Sequence, residues 1–559
     1  MCSGICKLKL AHIGAQRVAS DSLKMFVVLI IVLRRDNMLN VKNLTITHRK
    51  DLRVILDKFN LTLNDGDKAV IIGEEGNGKS TLMKWIYDPE LAEEYAECEG
   101  ERIFGDEVLG YLPQELPECA KEKTLYEYFS EARSFFDRTP KELSEMANEF
   151  RVSKDFFYAD QKMGSLSGGE KVKAQLMRIL IDEPTVLLLD EPSNDIDIST
   201  LELLERLING WKHIVLFISH DETLIENTAN VIIHIEQIMR KTKSRYVVVK
   251  DNYRHYIAHR AEAFERQEQL ALNDRKEKKL RDERYNRIHD KVERALSNVS
   301  RQEPGVGKML KDKMRAVKSM ERRFEKQDAN MTERPEQEEA IFFKLGKENS
   351  RMPAGKTVIE FSLDELVAPD GSKVLAKDIF LRVRGPEKVC IVGTNGAGKT
   401  TLLRLIADEL LAREDLRVQY MPQNYEDLLD LDMTPVEFLD DTGDKEVRTR
   451  IRTYLGSLKY TADEMEHPIR ELSGGQKAKV LLLKMSLSDA NVLVLDEPTR
   501  NFSPLSGPII RKMIASFPGA VISISHDRKY IEEVCTKTYL LTREGLEEMN
   551  LVDGGSRPF

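Results

Sequence analysis

Residues 73–80 of this chain read Gly73-Glu-Glu-Gly-Asn-Gly-Lys79-Ser80, and residues 393–400 read Gly393-Thr-Asn-Gly-Ala-Gly-Lys399-Thr400. Each segment follows a short apolar run, residues 69–72 in the first case and residues 389–392 in the second. A glycine-rich loop between a buried strand and a helix points backbone N–H groups at phosphate oxygens, and the lysine reaches the β- and γ-phosphates. The sequence therefore predicts two phosphate-binding loops, each with a strand–loop–helix context.

Other sequence motifs around these loops also occur twice in the chain. The repeated motifs are Tyr111-Leu-Pro-Gln114 with Tyr420-Met-Pro-Gln423, Leu166-Ser-Gly-Gly-Glu-Lys171 with Leu472-Ser-Gly-Gly-Gln-Lys477, Leu187-Leu-Leu-Asp190-Glu191-Pro192 with Leu493-Val-Leu-Asp496-Glu497-Pro498, and Ile218-Ser-His220-Asp221 with Ile524-Ser-His526-Asp527. The last three pairs are each 306 residues apart. Their apolar runs are typical of strands buried on both faces of a mostly parallel sheet, so two α/β domains are expected.

The motif residues match the needs of phosphoryl transfer, which are positive charge, a metal ion and an oriented water. Asp190 and Asp496 are predicted to hold Mg²⁺ together with the hydroxyls of Ser80 and Thr400. Glu191 and Glu497 are placed to polarise a water, and His220 and His526 to contact the γ-phosphate. Gln114 and Gln423 are expected at the metal and the γ-phosphate. The predicted cofactor-binding loop residues are Gly73, Gly76, Gly78, Lys79, Ser80, Thr81, Gly393, Gly396, Gly398, Lys399, Thr400 and Thr401.

Composition gives little more about function. The chain has 559 residues and a net charge of −9, but residues 251–350 carry 24 Lys and Arg against 20 Asp and Glu. Six scattered cysteines predict reduced thiols rather than a disulfide framework or a zinc site. An apolar run at residues 25–33 is too short to span a membrane, since about 20 residues are needed. We expect residues 1–37 to be an extension or the product of a misassigned start.

With the Leu-Ser-Gly-Gly motif, the sequence resembles the ATP-binding cassette superfamily over nearly all of residues 38–545. The resemblance implies that Ser167, Gly168 and Gly169 cover ATP on the Lys399 loop, and that Ser473, Gly474 and Gly475 cover ATP on the Lys79 loop. The chain is then a monomer whose cassettes pair within one chain, with ATP and Mg²⁺ as cofactors. The sequence departs from the usual motifs of this superfamily in two places. The turn after Pro498 (Thr-Arg-Asn-Phe-Ser-Pro-Leu505) lacks the aspartate that the first turn has at Asp197, so the two sites are expected to differ in rate. His48 and Phe361 are the only aromatic candidates for adenine stacking.

Between the halves lies a charged stretch with helical composition. Residues 253–299 contain no Pro or Gly, and apolar residues recur at coiled-coil spacing through Tyr285, Ile288 and Val292. We expect an antiparallel helical hairpin with its turn at Arg301 to Gly307. Residues 301–323 carry eight basic and three acidic residues, a charge that suits a phosphate backbone. The predicted RNA contacts are Arg301, Lys308, Lys311, Lys313 and Arg315.

Two cassettes, a helical linker with a basic tip and no membrane domain resemble the F subfamily of this superfamily. The resemblance implies a cytoplasmic ATPase that binds the exit-tRNA site of the ribosome, with the linker tip reaching tRNA and rRNA. A ribosomal protection protein against antibiotics is the alternative within the subfamily. A transporter's ATPase subunit and a DNA-repair or chromosome ATPase are weaker alternatives. The expected domains are residues 38–250 and 351–545 for the cassettes, 251–350 for the linker, and 1–37 and 546–559 for the terminal segments.

Overall fold

The computed structural model describes residues 37–549 except 106, 195, 239–240, 299–303, 329–330, 333–344, 347, 370 and 372. Two compact units divide the chain. Of the described residues, the first holds those within 37–250 and 345–549, and the second holds those within 251–332. Cys98, Cys119, Cys390 and Cys535 are free. Within the described part of the chain, no helix has both the length and the apolar character that a membrane crossing requires. The apolar run at residues 25–33 lies outside the described residues.

Among its described residues, the first half of the repeat contains nine strands and eight α-helices. Its strands are β1 (Met38–His48), β2 (Val54–Asn64), β3 (Lys68–Ile72), β4 (Ala96–Ile103), β5 (Leu109–Leu112), β6 (Val186–Asp190), β7 (Ile214–Ile218), β8 (Val231–Ile238) and β9 (Lys243–Val249). Its helices are α1 (Lys79–Tyr87), α2 (Glu90–Glu93), α3 (Glu118–Lys121), α4 (Leu125–Ser130), α5 (Pro140–Glu149), α6 (Gly168–Ile181), α7 (Ile198–Gly210) and α8 (Glu222–Thr228). A six-stranded sheet has the order β5-β6-β7-β3-β8-β9, parallel except for its edge strand β9. Strands β2-β1-β4 form an antiparallel sheet.

The second unit begins with α9 (Tyr253–Ser297) and α10 (Pro304–Asp328). The side chains of these helices meet in antiparallel order. Arg281 and Lys278 both pair with Asp328, while the ring of Tyr285 lies edge-on to Phe324, with centroids 6.1 Å apart. Val292 and Val317 are buried. The expected hairpin is thus present, and at about 1.5 Å per residue the 45 residues of α9 extend about 68 Å.

The predicted turn of this hairpin was partly wrong. Helix α10 begins at Pro304, so Gly305 and Gly307 lie in its first turn and not in the loop. Proline favours the first helical position, because its missing N–H has no partner there and its fixed φ suits a helix. Arg301 and Val299 lie outside the described residues.

The second half of the repeat reproduces the first. Its strands are β10 (Thr357–Val367), β11 (Val374–Arg384), β12 (Lys388–Val392), β13 (Val418–Met421), β14 (Val492–Asp496), β15 (Ala520–Ile524), β16 (Lys537–Thr542) and β17 (Gly545–Met549). Its helices are α11 (Lys399–Leu411), α12 (Pro435–Leu439), α13 (Lys445–Ser457), α14 (Ala462–Glu466), α15 (Gly474–Leu487), α16 (Gly507–Ala515) and α17 (Arg528–Val534). The sheet order β13-β14-β15-β12-β16-β17 matches that of the first half, and β10 pairs with β11 alone. The two six-stranded sheets confirm the expected α/β fold.

Both phosphate loops sit at the carboxyl edge of the central strand of their sheets. Strands β3 and β12 are buried along nearly their whole length between neighbouring parallel strands. Strands β6 and β14 end at Asp190 and Asp496 on the same edges. In open parallel sheets this edge is where ligands bind, so the topology brings the loop, the acids and the histidines together.

Replacing Val317 with aspartate tests the hairpin seam. Val317 is 4% exposed, and an unpaired carboxylate in that place costs several kcal/mol of local stability. We expect Val317→Asp to speed amide hydrogen exchange in α9 and α10 by about tenfold or more, while the sheets stay protected. The neighbouring Lys318 is exposed, so Lys318→Asp is the matched control and should leave exchange unchanged. Unchanged exchange in Val317→Asp contradicts the seam.

Candidate nucleotide sites

The glycines of each phosphate loop are needed for its backbone path. Gly73 has φ 149°, and a Cβ there would lie 2.2 Å from the carbonyl oxygen of Ile235. Gly78 precedes α1 with φ 78°, in the left-handed region that favours glycine. The Lys79 ammonium donates to the carbonyls of Gly73 at 2.9 Å and Glu74 at 3.0 Å. The loop therefore curls around its own lysine at the N-terminus of a helix.

The second loop has the same geometry. Lys399 donates to the carbonyls of Gly393 at 2.9 Å and Thr394 at 3.0 Å, and Gly398 precedes α11 with φ 96°. The two predicted loops thus share one conformation, in which helix N-termini and lysines face the same space. This arrangement suits a polyphosphate.

The carboxylates predicted beside each loop lie where the strands end. The Ser80 hydroxyl donates to Asp190 Oδ1 at 3.0 Å. Glu191 has φ 52° and Glu497 has φ 51°, a left-handed conformation that is uncommon for a residue with a side chain. In both halves the backbone N–H of this glutamate donates to the neighbouring strand, to Ile218 at 3.1 Å and to Ile524 at 3.0 Å. The neighbouring strand therefore helps hold each glutamate in this conformation.

The two sites differ in how the glutamate meets the histidine. In the first, His220 Nε2 lies 2.9 Å from Glu191 Oε1. In the second, the ring nitrogen of His526 is 3.9 Å from Glu497, whose other oxygen accepts the backbone N–H of His526 at 3.3 Å. The nucleotide-binding geometry is therefore shared, whereas the acid–histidine contact is not.

Burial makes these carboxyls hard to ionise. It raises the pKa of Asp190 to about 6, with help from the charge of Glu191. It also raises the pKa of Asp496 to about 6. Burial and the charge of Asp496 raise the pKa of Glu497 to about 8. Burial and Lys399 lower the pKa of His526 to about 3, so this ring is neutral. Such shifts are typical of sites that bind or transfer charged groups.

A cavity of about 510 Å³ at the first loop is lined by both halves of the repeat. Its predicted residues are Gly76, Gly78, Lys79, Ser80, Thr81, Gln114, Glu191 and His220 from the first half, with Ser473 and Gly474 from the second. Ser473 caps α15 by accepting the N–H of Gln476, so the N-terminus of this helix faces the loop. The N–H of Gly475 donates to Glu75 of that loop at 2.6 Å. We call this cavity the Lys79 site.

The second cavity, of about 570 Å³, is the Lys399 site. Its predicted residues are Gly396, Gly398, Lys399, Thr400, Thr401, Gln423, Asp496, Glu497 and His526, with Gly168 and His220 from the first half. The remaining predicted residues, Gly73, Asp190, Ser167, Gly169, Gly393 and Gly475, lie beside these walls and not on them. Both volumes fall within the range of small-molecule sites.

Several lining residues were missed by sequence reasoning. Asn194, Arg500 and Asn501 follow the acidic strand ends and line both cavities. Pro369 and Leu375, in and after the β10–β11 turn, give the Lys399 site an apolar wall. Of the two aromatic candidates for adenine stacking, the prediction of Phe361 is wrong. It is 6% exposed and packs in the core beneath the sheet. His48 bonds instead to Asp51 at 2.8 Å.

The donor set at each loop fits Mg²⁺. Hard divalent cations take oxygen ligands, and each site offers a hydroxyl and a carboxylate in contact, Ser80 with Asp190 and Thr400 with Asp496. Oδ2 of Asp496 and Oε2 of Glu191 are buried and, among the described residues, have no hydrogen-bond partner. When bound, the ion would neutralise phosphate charge. The lysines and loop N–H groups would then hold the phosphates, and the glutamates would face the attacking water.

The sequence of this chain is similar to those of several known proteins. The ABC transporter family model matches residues 56–194 and 376–500. The ribosome protection protein VmlR of Bacillus subtilis is 26% identical over 507 residues, covering 89% of this chain and 85% of that protein. The ABC transporter F family member 5 of Arabidopsis thaliana is 28% identical over 388 residues, 68% of this chain and 52% of that protein. The chain contains two ATP-binding cassette domains and is similar to F-type members of that superfamily.

Each half is therefore an ATP-binding cassette, and the protein is an ATP hydrolase. Among solved structures, the archaeal ribosome recycling factor aABCE1, in complex with a ribosomal stalk protein, matches with a TM-score of 0.54. The identity is 18%, and the match covers 91% of this chain and 90% of that one. This likeness concerns the fold of two cassettes in one chain.

The raised pKa of Glu497 predicts a pH dependence of stability. The folded protein holds this proton up to about pH 8, against an ordinary pKa of 4.5. The contribution of protonated Glu497 to the free energy of unfolding is therefore complete below about pH 4.5 and is lost as pH rises to about 8. In nucleotide-free protein with a chelator, we expect the Tm of Glu497→Gln to fall less than that of the wild type across this window. Calorimetry measures this, and the exposed Glu409→Gln serves as control. Parallel curves for Glu497→Gln and the wild type contradict the buried, protonated glutamate.

Proposed function

We propose that this ATPase binds the ribosome and modulates translation through closure of its two cassettes. The observation that carries the proposal is the basic surface of α10, where Lys308, Lys311, Lys313 and Arg315 are all exposed. Ribosomal RNA is a dense array of phosphates, and exposed lysines and arginines bind it by releasing counterions. The F-type relatives support the same assignment, since one is named a ribosome protection protein.

In the proposed cycle, ATP bound at the Lys79 and Lys399 sites draws the cassettes together, and hydrolysis releases them. Glu191 and Glu497 act as the water-orienting residues, with His220 and His526 at the γ-phosphate. The closed protein occupies the exit-tRNA site, where the tip of the hairpin contacts tRNA and rRNA. We place this activity in the cytoplasm. We assign it to the monomer, because both halves of each site come from one chain.

A second candidate is protection of ribosomes from antibiotics, favoured by the likeness to VmlR over 89% of the chain. Both candidates share the binding step and differ in its consequence. Drug susceptibility of cells with and without the chain separates them.

Replacing both water-orienting glutamates tests the cycle. We expect Glu191→Gln with Glu497→Gln to slow hydrolysis by about 10²-fold or more, because the attacking water loses the carboxyl groups that orient it. The doubly substituted protein should then remain on ribosomes when ATP is present. Co-sedimentation with ribosomes at moderate salt measures this, with ADP as the matched control. A variant that binds ATP yet stays off ribosomes contradicts the proposal.

Reversing three charges on α10 tests the RNA contact. We expect Lys308→Glu, Lys311→Glu and Lys313→Glu together to weaken ribosome binding and to flatten its dependence on salt. Each lost phosphate contact lowers the slope of log K against log salt by about 1. Lys42, Lys141 and Lys154 are exposed on the first cassette, so their reversal is the matched control. An unchanged slope in the α10 variant contradicts an RNA contact there.

A further inference from the structure

The first cassette carries acidic side chains at two positions where the second cassette has hydroxyl side chains. In the first cassette, the turn after the acidic strand end contains Asp197, and the aligned residue in the second cassette is Ser503. In the phosphate loops, the first cassette again has the acid, because Glu74 stands where the second loop has Thr394. Each nucleotide site is built from one cassette's phosphate loop and the other cassette's turn. Each site therefore has one acid at this pair of positions, supplied by the turn at the Lys399 site and by the loop at the Lys79 site.

The carboxylate of Glu74 crosses to the second cassette. Its Oε1 accepts hydrogen bonds from the hydroxyls of Ser503 at 2.7 Å and Ser506 at 2.6 Å, and its Oε2 accepts one from the Lys479 ammonium at 2.7 Å. The Glu74 side chain is 14% exposed, while Ser503 is 1% and Ser506 0% exposed. Water is thus nearly excluded from the cluster. An ionised acceptor there forms strong hydrogen bonds, and a missing partner is costly.

This carboxylate is held in its charged form. Burial by itself raises the pKa of Glu74, but the charge of Lys479 and the hydroxyl donors outweigh burial and hold the pKa at about 2. The backbone carbonyl of the same residue accepts a hydrogen bond from Lys79 at 3.0 Å. One residue therefore contacts both the phosphate-binding lysine of its own cassette and the turn of the other.

Asp197 is bonded differently at the other site. It accepts from the hydroxyl of Ser199 and from the backbone N–H of Thr200, both at 2.9 Å, and so caps α7 within its own cassette. Its charge also faces Lys399 and His526 of the second cassette. Lys173 aligns with Lys479, so a lysine at this position is common to both cassettes. What distinguishes the Lys79 site is the pairing of an acidic loop with a turn of two serines.

We propose that Glu74 is a positioning residue of the Lys79 site, which holds the turn of residues 500–506 against the first phosphate loop in place of the aspartate that this turn lacks. The inference rests on the proposed function of the Lys79 site in ATP hydrolysis. Because Arg500 and Asn501 of this turn line the site, its position decides how the second cassette meets bound nucleotide. The sequence departure after Pro498 is then a relocation of an acid and not its loss.

Exchanging the acid between the two positions tests this proposal. All variants carry Glu497→Gln, so that hydrolysis reports the Lys79 site. We expect Glu74→Thr, which copies the second loop, to lower kcat for ATP by about tenfold or more, since small displacements of catalytic groups are costly. Ser503→Asp alone should also lower kcat, because two carboxylates then face each other in a buried place. The double variant should recover at least about half of the lost activity, because it restores one acid across the interface as at the Lys399 site.

A role in stability alone predicts a different pattern, in which the variants lower the Tm and leave the kcat of the folded protein unchanged. Equal kcat in Glu74→Thr and its parent, or a double variant no better than either single variant, overturns the inference. If Glu74→Thr does not fold, as judged by its Tm, Glu74→Gln decides. This isostere keeps the hydroxyl contacts and loses the charge opposite Lys479, and its kcat must fall by about threefold or more. Glu97→Thr, at an exposed position of β4, is the matched control.

The outcomes also separate this inference from the proposed function. Hydrolysis in the Glu497→Gln parent that is indifferent to Glu74 overturns the inference and leaves the ATPase assignment standing. A parent that binds ATP but does not hydrolyse it, even in a single turnover, overturns hydrolysis at the Lys79 site and the positioning role together.

Discussion

The structure depends on one contact, in which the N-terminus of a helix in one cassette meets the phosphate loop of the other. At the Lys79 site, Ser473 caps α15, and the N–H of Gly475 reaches the carboxylate of Glu75 at 2.6 Å. A helix N-terminus carries partial positive charge and unpaired N–H groups, so it favours an anion. Both sides of the cavity are therefore built for negative charge, and neither cassette alone completes it. A nucleotide in this cavity would therefore contact both cassettes.

Charged groups away from the nucleotide also join the cassettes. Arg511 of α16 pairs with Glu222 of α8 at 2.8 Å, and both side chains are buried. Lys529 pairs with the same glutamate at 3.0 Å. Buried ion pairs are weak evidence for added stability, but they strongly penalise arrangements in which one partner is unpaired. These pairs therefore select one mutual orientation of the cassettes.

The repeat and its motifs predicted the two sheets, the loop conformations and many of the residues that line both cavities, since these follow from local strand–loop–helix rules and from parallel topology. Sequence reasoning failed where the outcome depends on distant partners. Nothing local shows that Glu74 meets Ser503, 429 residues away. Phe361 looked available for stacking, but its strand places it in the core. The hairpin turn was drawn too long because glycine and proline were taken as loop formers, whereas Pro304 starts a helix.

The most direct test of the composite site is to ask which serine serves which loop. In a Lys399→Ala background only the Lys79 site retains its loop lysine, so ATP binding reports that site. We predict that Ser473→Arg, on the second cassette, abolishes this binding by blocking the N-terminus of α15. Ser167→Arg, the aligned change on the first cassette, leaves it intact. If Ser167→Arg removes ATP from the Lys79 site and Ser473→Arg does not, each cassette completes its own site. That result would contradict nucleotide sites shared between the two cassettes.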